Sequence, residues 1–177
     1  MASDILAAAF VTGIIVKLTD QMEDKNKKSN SMKNIPAFLG TVYGVLISYV
    51  MLKSPVVANL WMAAVLGNIL AGNMDVKGHR IGIFTMLSVL AVFGFPKFES
   101  YLLLVFTVAA YFDEFLKDLG ESGKIKSTIF NRIVEYRLIL EATAFAVSLY
   151  TAQWILFASI FLFDLGYIIV NELTKRH

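Results

Sequence analysis

Cysteine is absent from the 177 residues. That excludes disulfides, thiol nucleophiles and cysteine-ligated zinc or iron–sulfur centres. Histidine occurs only at His79 and His177, too few for a histidine-rich metal site. Proline is scarce, and Pro36 and Pro55 stand near predicted helix starts, where the ring is tolerated. Charged residues are only 17% of the chain, against about 25% in soluble domains. Hydrophobic residues fill the gap at 57%, and the mean hydropathy is +0.65. A soluble domain of this size buries about 70% of its unfolded surface and could not hide so much apolar material. The composition excludes disorder, a nucleic-acid-binding tail and a secreted disulfide scaffold. It points to an all-α integral membrane protein whose surroundings are lipid.

Seven apolar runs are read as spans: Ala2–Thr19, Ile35–Leu52, Pro55–Gly72, Ile81–Phe95, Phe98–Leu116, Ile133–Tyr150 and Ala152–Asn171. The connections between them alternate in charge. Lys25, Lys27, Lys28 and Lys33 follow the first span, Lys77 and Arg80 the third, and Lys117, Lys124, Lys126 and Arg132 the fifth. Lys175 and Arg176 follow the seventh, while the other connections hold only Lys53 and Lys97. Basic residues stay in the cytoplasm. The expected polytopic bundle therefore has its N-terminus outside and its C-terminus inside. The first span lacks the positive n-region of a leader, its first charge being Asp4, and reads as a mature helix. Glycines of the spans, such as Gly13, Gly40 and Gly44, suit close helix packing in lipid.

The acids gather on the cytoplasmic side. Of fourteen, only Asp4 and Glu99 fall outside. Asp20 and Asp24 are four apart, as are Glu114 and Asp118, with Asp113 beside them. Such pairs share a helix face and repel unless a cation bridges them. Mg²⁺ is suited to that task, since it takes one or two carboxylates and engages substrate phosphates. The plain alternative is juxtamembrane charge paired with nearby lysines. Glu141 lies about 12 Å into the sixth span, and Asp164 is at similar depth in the seventh. Intramembrane acids mark functional sites by default. Asp75 and His79 are four apart, either an acid–base or metal pair, or part of a polar loop holding Arg80 near lipid phosphates. Arg137 and Glu141, also four apart, make an ion pair, or Arg137 holds a phosphate.

An offset of 93 positions lays Asp20 on Asp113, Lys33 on Lys126, Tyr43 on Tyr136 and Trp61 on Trp154. It suggests a parallel three-plus-one-plus-three repeat, 1–75 and 96–177, within one transmembrane domain.

The segment Thr19-Asp20-Gln21-Met22-Glu23-Asp24-Lys25 is followed four spans later by Tyr111-Phe112-Asp113-Glu114-Phe115-Leu116-Lys117-Asp118. The basic stretch Gly123-Lys124-Ile125-Lys126-Ser127-Thr128 comes next. This arrangement resembles the UbiA-type intramembrane prenyltransferases, with Thr19 where that family has Asn and seven spans where it has nine. The resemblance implies Mg²⁺ (or Mn²⁺) on Asp20, Asp24, Asp113 and Asp118, with Asp20 and Asp113 central to catalysis; Glu114, four before Asp118, is a further candidate ligand. It implies a prenyl diphosphate held through the metal, with Lys126 beside it.

Three functions follow as expectations. The first is an Mg²⁺-dependent prenyl- or lipid-phosphate transferase acting on an isoprenoid or phospholipid, with Lys126, Arg137 and Arg80 binding its phosphate. The second is a cation or small-solute transporter using Glu141 and Asp164. The third is a non-catalytic membrane subunit.

Overall fold

Away from water, a backbone must satisfy its own hydrogen bonds, and apolar runs of this length do so as helices. The computed structural model describes residues 2–28, 34–72, 76–121 and 138–175. Among them are seven helices: α1 (Ala2–Lys28), α2 (Ile35–Lys53), α3 (Pro55–Leu70), α4 (Lys77–Phe93), α5 (Ser100–Glu121), α6 (Leu138–Thr151) and α7 (Ile155–Lys175). The fold is all-helical. The segments Ala2–Lys25, Ile35–Lys53 and Ile155–Thr174 are long and apolar enough to cross a membrane, and Pro55–Leu70 and Leu138–Thr151 are shorter apolar helices.

Helix ends depart from the hydropathy boundaries for local reasons. α1 runs on to Lys28 rather than stopping at Thr19, because Gln21, Met22, Glu23 and Lys25 are good helix formers although polar. α4 starts at Lys77 and stops before Gly94, whose φ is +96°. α5 begins at Ser100 and continues to Glu121. One residue, Ser54, joins α2 to α3: its N–H donates to Val50 O and its Oγ accepts from Val57 N. The corner between α6 and α7 turns at Ala152, with φ 58°.

The most extensive pairings are α1 with α7, α2 with α4, α3 with α5, and α1 with α2. Smaller contacts of α2 with α3, α5 with α6, and α6 with α7 complete a circuit of six helices. α3 also touches α7 across that circuit, and α4 lies outside it against α2 and α1. Glycine sets the tightest crossings. Gly40 and Gly44 on α2 face Gly78 and Gly82 on α4, so a Cβ at either α2 glycine would overlap an α4 carbonyl oxygen. Two GxxxG stripes thus meet face to face, letting backbones approach. Gly13 of α1 and Gly166 of α7 interlock likewise, each against the other helix's backbone.

The core includes Tyr43, Met51, Leu60, Trp61, Met86, Leu90, Phe106 and Leu156, all at most 4% exposed. Outside, Phe84, Val92, Phe93, Tyr101 and Tyr150 are each at least 70% exposed. Apolar surface of that extent marks a lipid- or partner-facing exterior.

Several helix starts are satisfied from other helices. The first-turn N–H groups of any helix lack an intrahelical acceptor. Glu23 Oε1 on α1 accepts from Gly78 N of α4 at 2.9 Å. Asn59 Oδ1 on α3 accepts from Glu99 N, just before α5, at 2.8 Å. Asp113 on α5 accepts from Ile139 N and Leu140 N of α6 at 3.1 and 2.7 Å. Ser148 Oγ on α6 accepts from Phe157 N of α7 at 3.1 Å.

Candidate functional site

At the acid-rich end of the bundle, the Glu23 contact joins the end of α1 to the start of α4, and the Asp113 contact joins α5 to the start of α6. There a polar network joins four helices. His79 Nε2 lies 2.6 Å from Asp20 Oδ1, linking α4 to α1. A carboxylate only accepts, so Nε2–H donates to it. The Tyr43 hydroxyl of α2 lies 3.0 Å from His79 Nδ1 and donates to Gly78 O at 3.4 Å. The Tyr167 hydroxyl of α7 donates to Asp20 Oδ2 at 3.0 Å, and Lys17 Nζ donates to that same hydroxyl at 3.3 Å. The Lys17 ammonium also sits 4.6 Å above the centre of the Tyr167 ring, a cation–π contact. The side chains of His79 and Asp20 are 23% and 26% exposed, so the network reaches the surface at this end. Tyr43 is buried beneath α4, and its ring occupies the space that a side chain at Gly82 would need.

Asp113 is 3% exposed, and both of its oxygens are held by α6 backbone N–H groups. Glu114 beside it is buried at 2%, whereas Asp118 and Asp24 face outward. Deeper between α6 and α7, Glu141 and Asp164 are neighbours, with Asp164 buried at 8%. Arg80 is exposed next to His79. Asp75, Lys126 and Arg137 lie outside the described residues.

An open groove of about 530 Å³ runs between α5 and α6. Val105 lines it from α5, and Ile139, Ala142, Thr143 and Ala146 line it from α6. Alanines at 142 and 146 leave the space. Its wall is apolar apart from the Thr143 hydroxyl, and Ile139 connects it to Asp113.

The described donors do not fit the Mg²⁺ site that the resemblance implies. Mg²⁺ requires near-octahedral oxygen donors. Each oxygen of Asp20 and Asp113 already accepts from an N–H or O–H donor that positions a helix. Among the described residues, no three His, Cys, Asp or Glu side chains come together. Among the described residues, Asp20 is the carboxylate joined to His79.

Lys17, Tyr43, Glu23 and Tyr167 were not among the candidates drawn from sequence. Their partners are 150, 36, 55 and 147 residues away, and no local spacing marks them. Only the polarity of Lys17 within an apolar run offered a signal. No family model matches the chain, and no curated protein and no solved structure is significantly similar to it.

Proposed function

We propose that the chain is a multi-pass membrane protein of seven spans, with its N-terminus outside and its C-terminus cytoplasmic. In this reading it handles a phosphate- or diphosphate-bearing lipid at its cytoplasmic end. The observation that supports it best is the meeting of an apolar groove with the polar end. Ile139 lines the groove and donates its backbone N–H to Asp113. A lipid chain lying along α5 and α6 would bring its headgroup to that end. Arg80, exposed beside His79, brings a positive charge to that end, and charge-assisted hydrogen bonds to phosphate are the strong ones. The chemistry is recognition and electrostatic stabilisation of a phosphorylated headgroup.

The test is photo-crosslinking in nanodiscs with a prenyl phosphate carrying a photoreactive chain. Labelling concentrated on α5 and α6 peptides, and suppressed by unlabelled prenyl diphosphate, is the expected result. Labelling spread evenly over all lipid-facing helices, and indifferent to competitor, would overturn the reading.

A second reading, transport, draws on the Glu141–Asp164 carboxyl pair, since intramembrane acids mark ion and proton pathways. Proton-coupled flux in proteoliposomes that disappears in Glu141→Gln would favour it, and no flux above empty liposomes would end it.

A further inference from the structure

We infer that the two acidic motifs are helix-docking elements that work without a metal ion: Asp20 and Glu23 seat the first turn of α4, and Asp113 seats the first turn of α6. Glu23 accepts from the backbone N–H of Gly78, and Asp20 accepts from the side chain of the next residue, His79. The first acidic motif thus grips two successive residues of one helix start. Asp113 grips two successive N–H groups of another, Ile139 and Leu140. A helix N-terminus carries orphan donors and partial positive charge, which a carboxylate satisfies together. Gly78 and Asp113 are buried, and donors left unmet there are expensive.

The same solution recurs at the opposite end with neutral groups. Asn59 meets Glu99 N, and Ser148 meets Phe157 N. The acids therefore belong to a general device of this bundle, in which one helix caps another across space. The remaining oxygen of Asp20 takes the Tyr167 hydroxyl, tying α7 into the same lock. A cation at either motif would have to share oxygens that already hold helices together. The inference concerns only these contacts and stands apart from the identity of any lipid.

The test exploits there being only two histidines. In His177→Gln protein labelled with ¹⁵N-histidine and held in detergent micelles, His79 alone reports on Asp20. It is expected to carry a proton on Nε2 and to keep its linewidth when Mn²⁺ is added in excess. Paramagnetic broadening of His79 at equimolar Mn²⁺, reversed by a chelator, would overturn the inference for the first motif. For the second, Asp113→Ala is expected to lower the thermal unfolding midpoint more than Asp113→Asn, which keeps one acceptor oxygen. Mg²⁺ is expected to leave the wild-type midpoint in place. A Mg²⁺-dependent rise in that midpoint, lost in Asp113→Asn, would overturn it without needing either variant to fold well.

Discussion

Trp61 shows how a single side chain is set by its surroundings. It stands on α3 where that helix meets α7, 4% exposed, with its ring edge-on to Phe163 at 5.0 Å and 80°. Such aromatic pairs stabilise beyond their area burial. Its Nε1–H has no hydrogen-bond partner among the described residues, and a buried unmet donor costs about 1–3 kcal/mol. Trp61→Phe removes ring area and that unmet donor together, so the two effects oppose. Its stability in detergent unfolding is expected to stay within about 1 kcal/mol of wild type. Trp61→Ala is expected to lose about 3–5 kcal/mol. A loss for Trp61→Phe as large as for Trp61→Ala would mean that the indole N–H is paired. Sequence alone reads Trp61 as an ordinary packing or interface residue, because the facing Phe163 is 102 positions away in the chain.

Among elements, glycines and cross-helix caps decide which helices meet. The Gly40–Gly44 and Gly78–Gly82 stripes bring α2 and α4 into backbone contact. A side chain there meets backbone, which cannot swing away, and overpacking costs about 1–3 kcal/mol or more. Gly44→Val is therefore expected to loosen α4 and lower the unfolding midpoint sharply. Gly72→Ala, at φ +79° with open space around it, pays only backbone strain of about 1–2 kcal/mol. Equal midpoints for the two variants would contradict the stripe-on-stripe packing. The helices themselves were legible as apolar runs, since hydropathy reports what must leave water. Their ends were not: α1 continues nine residues past Thr19 through polar helix formers. The caps were also hidden. Glu23 and Asp113 look like solvated charge or metal ligands in sequence, and only the fold brings Gly78 and Ile139 to them.

At the scale of the whole molecule, the acid-rich end and the apolar exterior are one design. The all-helical class and the crowding of acids toward one end follow from composition and spacing. The order of packing does not: α4 sits outside a six-helix circuit, against α2 rather than its chain neighbours α3 and α5. Non-consecutive packing of this kind depends on matched glycine surfaces 38 positions apart. Orientation in the bilayer is the claim on which the lipid reading rests, because it puts the Asp20–His79 network and the groove's polar end in the cytoplasm. The absence of cysteine permits a direct measurement with single introduced thiols and a membrane-impermeant maleimide on intact cells. Ser3→Cys and Lys97→Cys are expected to label without permeabilisation, and Asn34→Cys and Glu172→Cys only after it. The reverse pattern, or labelling of all four from one side, would contradict the account.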